Sequence, residues 1–273
     1  MNDRAPSSTL EEVEDPSGSA DPLLAVHVLG PFVATVDGVP AGLWHGGRVR
    51  SLFAYLLTHR NPWPARETLM DLFWPGSTQD AARNSLNVAV HGVRRALRTV
   101  TDRPVVVFQA NSYRLDLNVR LWLDVDEFDR HVALARELEL AGRPEAAIRE
   151  YEIADGLYRG EFLADNPYED WPALLRERLR LTHLDALDHL SGLFFDAGRF
   201  AAAGALCARL IEGDPCREAA HRRLMRCHSR QGQPHLALLQ HRACTTALAR
   251  DLGVQPGPET QDLYERIRRH ESV

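Results

Sequence analysis

The C-terminal half of the chain has an almost unbroken helical pattern, interrupted by three similar turns. These turns read AGRPEAA at 141–147, AGRFAAA at 197–203 and QGQPHLA at 231–237. Gly198 and Gly232 stand 34 residues apart. A period of this length, with glycine at the turn between two helices, is typical of stacked helix pairs that bury a common core. The pattern therefore predicts an all-α array over residues 123–273.

The period is that of the tetratricopeptide repeat, but the array is irregular. Gly142 lies 56 residues before Gly198, and the additional residues include LYRGEFLADNPYEDW. This interruption predicts a specialised loop between the first and second helix pairs.

A different pattern precedes the array. Residues 23–44 alternate apolar and polar side chains between the turn signals GP and DG, which predicts a small antiparallel sheet. Two amphipathic segments and a third helix follow, and then PVVVFQ and YRLDL, joined by ANS at 110–112, predict a hairpin. A sheet, three helices and a hairpin in this order indicate a winged helix over residues 23–122, whose third helix enters the major groove of DNA. The predicted fold is mainly α with a small β part.

The third helix, RNSLNVAVHGVRRALR at 83–98, has two unlike faces. Leu86, Val90, Val93 and Leu97 fall on one stripe at helical spacing and predict its core side. The opposite face carries amides and cations without an acid, at Asn84, Asn87, His91, Arg94, Arg95 and Arg98. A merely solvated face would mix acids and bases, whereas this set is suited to base edges and phosphates. We expect Arg94 and Asn87 to face base edges, and Arg83, Arg95 and Arg98 to lie nearer phosphates.

Charge is distributed unevenly around a net value of −6. Residues 44–114 hold ten Arg and four acids, whereas 126–273 hold twenty Arg and twenty-five acids. A basic module is therefore joined to an acidic one. Residues 1–22 are acidic and rich in Ser and Pro, without the pattern of a signal peptide, and are predicted to be a disordered tail. No apolar run is long enough to span a membrane, so we expect a cytoplasmic, nucleoid-associated protein.

Several classes of enzyme are disfavoured by the residues that are missing. All 32 basic residues are Arg, which removes Walker A, Schiff-base and kinase lysines, and no GxSxG, HExxH or CxxC occurs. We therefore predict no enzymatic activity and no cofactor. Cys207, Cys216, Cys227 and Cys244 lie near several histidines, but their spacings of 9, 11 and 17 do not suit zinc. A structural role in the core is the favoured interpretation of these cysteines, and we predict no metal site.

Together these segments identify a resemblance. VLGPFVATVDG, ARNSLNVAVHGVRRALR, SYRLDL, DVDEFDRHV, LYRGEFLAD with EDW, and DLGVQPGPETQDLYERI occur in fixed order along residues 23–270. In this set the chain resembles the Streptomyces antibiotic regulatory proteins, in which an OmpR-like winged helix precedes a tetratricopeptide-like bacterial transcriptional activator domain. The resemblance implies a sequence-specific activator that binds direct repeats of double-stranded DNA and recruits RNA polymerase through sigma and other subunits. It also implies control of a secondary-metabolite gene cluster.

The family's recognition-helix motif falls on residues already singled out. It matches at Arg83, Asn84, Leu86, Val88, Val90, Val93, Arg94, Arg95, Leu97 and Arg98. Ala89, His91 and Gly92 depart from the motif, and Gly92 costs a helix about 1 kcal/mol relative to alanine. At the hairpin, Tyr113 and Arg114 match the family, with Ser112 in place of glycine. We expect a wing formed by Asn111, Ser112, Tyr113 and Arg114, although Tyr113 is equally suited to the core.

The resemblance also places a polymerase contact before the third helix, at Trp74, Pro75, Gly76, Ser77 and Thr78. Trp74 fits either the core or an exposed contact. On DNA we expect two copies side by side, with repeats about 10 to 10.5 bp apart, from a protein that is monomeric when free. The competing hypothesis is a tetratricopeptide adaptor with a degenerate winged helix, which Ala89 and Gly92 would favour.

Overall fold

The computed structural model describes residues 23–273, and the acidic segment predicted to be disordered lies outside them. The first part contains β1 Leu23–His27, β2 Val33–Val36, β3 Val39–Pro40, α1 Gly47–Thr58, α2 Arg66–Phe73, α3 Gln79–Leu97, β4 Val106–Gln109, β5 Ser112–Leu115 and β6 Arg120–Leu123. Seven helices follow: α4 Asp124–Leu140, α5 Pro144–Leu157, α6 Ala173–Asp196, α7 Phe200–Gly213, α8 Glu218–Arg230, α9 Pro234–Asp251 and α10 Pro258–Arg268. The predicted fold class is confirmed.

The N-terminal sheet has the strand order β3-β2-β1-β6. β1 pairs antiparallel with β2, as the alternation predicts, and Leu24 and Val26 of β1 are buried. The fourth strand was not predicted, and it pairs parallel to β1, with Leu24 opposite Leu121. Its four residues are too few for a clear alternating pattern, and its partner lies far away in the sequence.

The predicted hairpin is present. β4 and β5 pair antiparallel, and the turn between them consists of Ala110 and Asn111, with φ values of 48° and 62°. Positive φ at both central residues is the geometry of a tight hairpin turn whose twist matches the strands. The backbone N–H of Arg66 donates to the Asn111 carbonyl at 3.0 Å, and that of Tyr113 donates to the Pro64 carbonyl at 3.2 Å. The hairpin is thereby fixed to the start of α2, as in a winged helix.

The three sequence turns of the C-terminal half are equivalent in structure. Gly142, Gly198 and Gly232 have φ values of 67°, 73° and 73°, which residues with a side chain rarely adopt. After each glycine, the next N–H donates back to a carbonyl five residues earlier; Arg199, for example, donates to Phe194 at 2.8 Å. This bond closes the helix in a Schellman motif. The predicted stack of helix pairs is therefore present: α4 with α5, α6 with α7, and α8 with α9.

The interruption in the array is a loop, residues 158–172, that lies against the first domain. We call it the interdomain loop. The Leu163 N–H donates to the Val28 carbonyl at 2.7 Å, and the Gly30 N–H donates to the Glu161 carbonyl at 3.0 Å. The Trp171 indole Nε1 donates to the buried Ser51 hydroxyl at 2.7 Å. One continuous cluster of buried apolar residues consequently runs from β1 into the helix pairs.

Candidate nucleic-acid interface

Helix α3, the predicted recognition helix, is anchored by its apolar side. Leu86, Val90, Val93 and Leu97 are at most 3% exposed. The Thr78 hydroxyl accepts a hydrogen bond from the Ala81 N–H at 3.4 Å and so caps the N-terminus of the helix. The orientation of the helix about its axis is thus set by its core residues, which determines what its other side presents.

That other side is a continuous exposed face. Asp80, in the first turn of α3, lies on this side as an exposed acid. From residue 84 onwards, six exposed side chains fall within an arc of about 100°, at 100° per residue. They are Asn84, Asn87, Val88, His91, Arg95 and Arg98. Within residues 23–273 none of these six side chains forms a hydrogen bond or an ion pair, and none of the six is acidic. We call this set the α3 face.

Val88 belongs to the α3 face but was not among the residues predicted to contact DNA. It is 72% exposed, although valine is usually buried. On the helical wheel Val88 lies next to Arg95, at the edge of the α3 face and opposite the apolar stripe, so its position in the sequence already places it outside the core. An exposed β-branched side chain among amides and cations offers a rigid apolar contact, of the kind that the methyl group of thymine accepts.

Arg94 and Arg83 lie at the margin of the α3 face and are half-buried. The Arg94 Nε donates to the Val106 carbonyl of β4 at 3.0 Å. This bond ties α3 to the hairpin and directs the guanidinium along the junction, rather than outwards with Arg95. The contact of Arg94 therefore favours a position at the junction of α3 and the hairpin, and not the expected position facing base edges.

A cleft of about 440 Å³ lies where α3 meets the hairpin. It is lined by three arginines, by one acid and by apolar residues, which include Arg94, Arg98, Arg103, Asp102, Val106 and Phe108. A cleft with several guanidinium groups is complementary to an anion that can accept bidentate hydrogen bonds, such as a phosphate.

The hairpin residues differ in exposure. Tyr113 is 6% exposed with its ring 4.8 Å from that of Phe108, and burial raises the pKa of its hydroxyl. Of the two roles left open for it, the structure favours the core. Asn111 is exposed, and its amide donates to Glu67 of α2 at 2.7 Å. Ser112 and Arg114 are half-buried on the strand that follows.

The predicted polymerase loop, residues 74–78, is exposed except at its first residue. Pro75, Gly76, Ser77 and Thr78 are all exposed. Trp74 is half-buried, between the Phe73 ring at 5.9 Å and the Arg48 guanidinium at 5.8 Å. The indole therefore joins the edge of the core and still reaches the surface, so both roles considered for it remain compatible with its position.

Glycine at position 92 has a packing explanation. A Cβ built on Gly92 would lie 3.0 Å from Cγ2 of Val49 on α1. Since α3 and α1 approach this closely, a larger residue requires a shift of one helix. The departure from the family motif is thus accommodated by the local packing of this chain.

Three of the four cysteines occupy core positions as predicted, whereas Cys216 is half-buried at the surface of the helical domain. Cys207, Cys227 and Cys244 are buried, and burial raises the pKa of the Cys227 thiol to about 12 and that of Cys244 to about 11. Such thiols are poor nucleophiles and poor metal ligands at neutral pH. Among residues 23–273, no group of three His, Cys, Asp or Glu is arranged to hold a metal ion. In the same range, every helix is too short or too polar to cross a lipid bilayer.

Comparisons with known proteins concern both halves of the chain. The profile of the bacterial transcriptional activator domain matches residues 123–268. The transcriptional regulatory protein MoaR1 of Mycobacterium tuberculosis is 26% identical over 247 residues, which cover 89% of this chain and 78% of MoaR1. The transcriptional regulator RedD of Streptomyces coelicolor is 28% identical over 279 residues, covering 97% of this chain and 78% of RedD.

A solved structure shares the whole arrangement. Mycobacterium tuberculosis EmbR, in complex with a low-affinity phosphopeptide, superimposes with a TM-score of 0.76 at 26% identity over 92% of this chain. The match covers 66% of the EmbR chain, so somewhat less than two thirds of that protein has a counterpart here. The order of the two domains and their packing are therefore shared with a transcriptional regulator.

Proposed function

The chain belongs to the bacterial transcriptional activator domain family, and from that premise we propose that it is a DNA-binding activator of transcription. The observation that carries the proposal is the α3 face, whose side chains lack internal partners and acids. An α-helix fits the major groove, where base edges present donors, acceptors and the thymine methyl group. The relatives named above are transcriptional regulators, which supports the same function.

The positions on α3 suggest a division of roles. Asn84, Asn87, Val88 and His91 occupy the middle and first half of the face, where a helix inserted into the groove reaches base edges. Asparagine pairs bidentately with adenine, and Val88 provides the apolar contact for thymine. Arg95 and Arg98 lie one and two turns further on, where the helix leaves the groove and phosphates become accessible.

The cleft between α3 and the hairpin serves a backbone phosphate in this proposal. Arg94 is held by Val106 at one nitrogen, so its other N–H groups are preorganised together with Arg98. Arg114 and Ser112 of the hairpin extend the contact to the neighbouring backbone. Asn111 takes part only if DNA displaces its bond to Glu67, and Tyr113 supports the hairpin from within.

We further propose that two copies bind side by side on direct repeats and recruit RNA polymerase through residues 74–78. The acidic helical domain would then lie away from the phosphates. Control of a secondary-metabolite gene cluster is the biological role that the family suggests, and residence on the nucleoid would follow from DNA binding.

The test begins with in vitro selection from a random DNA library, because this chain's own binding site must be defined first. Binding to the selected site is then measured over a range of salt concentrations. Val88→Ala should cost about 1 kcal/mol and relax the preference for thymine at one position. Arg242→Ala, an exposed arginine on α9, is the matched control and should leave affinity unchanged. If no sequence is enriched and binding does not weaken with salt, the adaptor hypothesis is favoured instead.

A further inference from the structure

The interdomain loop and the polymerase loop meet at a cavity that the DNA-binding role does not use. Its volume is about 540 Å³. Leu72, Phe73 and Pro75 line it from the first domain, and the segment from Asp165 to Trp171 lines it from the second. A second depression of about 540 Å³, lined by Glu67, Asp71 and Trp74, shares Pro75 with the first. The segment Trp74–Pro75 therefore lies between the cavity and the second depression, and residues of the interdomain loop form part of the cavity wall.

The most exposed aromatic residue of the described chain stands at this cavity. Tyr168 is 97% exposed. Its position is nevertheless fixed, because Arg176 of α6 donates from Nη1 to the carbonyls of Pro167 at 3.2 Å and Glu169 at 3.3 Å, on either side of it. The Asn166 amide in turn donates to the Gly47 carbonyl at 2.7 Å. Tyr168 is thus an aromatic side chain held on a rigid backbone and left without internal packing, which favours its use in binding.

Arg48 links the two loops. Its Nη1 donates to the Phe73 carbonyl at 2.8 Å, at the end of α2, and lies 3.7 Å from the Glu169 carboxylate. The same guanidinium lies 5.8 Å from the Trp74 ring. One side chain therefore contacts the polymerase loop and the interdomain loop at once, and the surfaces on either side of it form a continuous patch.

The charge of this patch is opposite to that of the α3 face. Asp165, Glu169 and Asp170 line the cavity. Glu169 is paired with Arg48 and Asp165 with Arg50, so that among residues 23–273 Asp170 is the lining carboxylate without an ion-pair partner. Asp71 adds a carboxylate in the second depression. An acidic rim repels DNA phosphates but complements arginine or lysine. The apolar floor formed by Phe73, Leu72 and Trp171 suits a large apolar side chain between such cations.

From this combination we propose that the patch around Tyr168 and Trp74 is one composite docking surface for a basic segment of RNA polymerase that carries an apolar anchor. The proposal rests on the proposed function, and it adds the helical domain to the polymerase contact and names the chemistry of the partner. The apolar anchor enters the cavity beside Tyr168, and flanking cations meet Asp170 and Asp71. The helical domain thereby contributes directly to activation, in addition to supporting the fold.

The test measures binding of the purified full-length chain to RNA polymerase holoenzyme from its host, both without DNA and on the selected DNA site. Tyr168→Ala and Asp170→Arg should each weaken holoenzyme binding by about tenfold or more, with unchanged affinity for DNA. Asp170→Glu should bind as the wild type does. Leu140→Ala is the matched control, since Leu140 is 91% exposed at the far end of α4. Holoenzyme binding should also weaken with salt, because the contact is between opposite charges.

Each other outcome has a definite meaning. If Trp74→Ala lowers holoenzyme binding and both Tyr168→Ala and Asp170→Arg do not, the polymerase loop acts alone and the composite surface is wrong. If the wild type binds DNA but not the holoenzyme, the docking proposal fails and DNA binding stands. If the selected DNA is not bound but Tyr168→Ala still abolishes holoenzyme binding, the docking proposal stands and the DNA-binding proposal fails. A Tyr168-dependent dimer in sedimentation without polymerase would identify a second copy as the occupant and overturn the proposal.

Discussion

The α3 face and the interdomain loop use the same residue type in opposite ways. Arg176, beside the loop, donates to the carbonyls of Phe162 at 2.9 Å and Asn166 at 2.6 Å, among others, and is consumed by the fold. Arg95 and Arg98 on α3 have no internal partner among residues 23–273. Arginine count alone therefore does not locate a binding surface in this chain; the informative property is which guanidinium groups the fold leaves unsatisfied. The difference predicts that changes in the two regions affect different measurements.

Replacement of Trp171 by alanine should have the largest effect, and it should be an effect on stability. Trp171 is half-buried, packs against Tyr55, Phe73 and Phe162, and bonds to Ser51. We expect a loss of about 3 kcal/mol in the free energy of unfolding, measured by urea denaturation. Arg95→Ala, on the other surface, should change that value by less than about 0.5 kcal/mol. Equal losses for both variants would remove the distinction between the regions.

The pH dependence of stability tests a second contact between the two domains, at Asp124. Asp124, the first residue of α4, is buried, and its carboxylate accepts the N–H groups of Val28 and Leu29 at 2.8 and 2.9 Å. Burial raises its pKa from 3.8 to about 6. The folded state then binds a proton between these values that the unfolded state does not. The stability contributed by this protonation is complete below pH 3.8 and is lost as the pH rises through about 6.

Asp124→Asn retains an acceptor for the two N–H groups without a buried charge. As the pH rises from 4 to 7, the unfolding free energy of the variant should increase by about 2 kcal/mol relative to that of the wild type. His27 lies beside Asp124, and burial lowers its pKa, which acts in the opposite direction in both proteins. Making the comparison in a His27→Gln background removes that contribution from both denaturation curves. A difference that does not vary with pH would mean that Asp124 is ionised in the fold as readily as in water.

On the α3 face, the double variant Arg95→Ala with Arg98→Ala should leave the fold intact and weaken binding to every DNA sequence alike. If each guanidinium contacts one phosphate, the slope of log affinity against log salt should fall by about two. The measurement is a titration of the selected site at four salt concentrations. An unchanged slope would show that these arginines do not reach the backbone, despite their exposure.

The smallest effect is expected where α3 meets α1. Gly92→Ala gains about 1 kcal/mol of helix propensity but brings its Cβ to 3.0 Å from Val49. The two terms should nearly cancel in the unfolding free energy. Gly192→Ala, in the middle of α6, meets only an ordinary contact of 3.6 Å with Arg223 and should stabilise by about 0.5 to 1 kcal/mol. If both variants stabilise equally, the approach of α1 does not explain glycine at position 92.

The features that the sequence predicts correctly are local ones. The core stripe of α3 and the repeated turns at Gly142, Gly198 and Gly232 each depend on residues within a few positions of one another. The pairing of β6 with β1 depends on contacts nearly one hundred residues apart, and no short-range pattern encodes it.

The same division holds for the candidate site. The exposed amides and cations of α3 follow from helical geometry and are visible in the sequence. The bond that turns Arg94 towards Val106 requires the position of β4, which the helix does not specify. The exposure of Val88 follows from the same helical geometry, because its position on the helical wheel lies opposite the apolar stripe. Tyr168 could not be found, since its exposure depends on how Arg176 holds the loop around it.

The buried core that the two domains share also determines where the chain can be divided to make a chimera. The chain passes from β6 to α4 between Leu123 and Asp124, and a chimera builder would naturally exchange DNA-binding halves at that point. Such an exchange would separate Val28 from Leu163 and Ser51 from Trp171. A winged helix taken from another protein would then need hydrogen-bond acceptors at the positions where the Leu163 N–H and the Trp171 indole donate. Grafts that carry residues 158–172 together with the winged helix should give well-folded hybrids more often than grafts that end at residue 123.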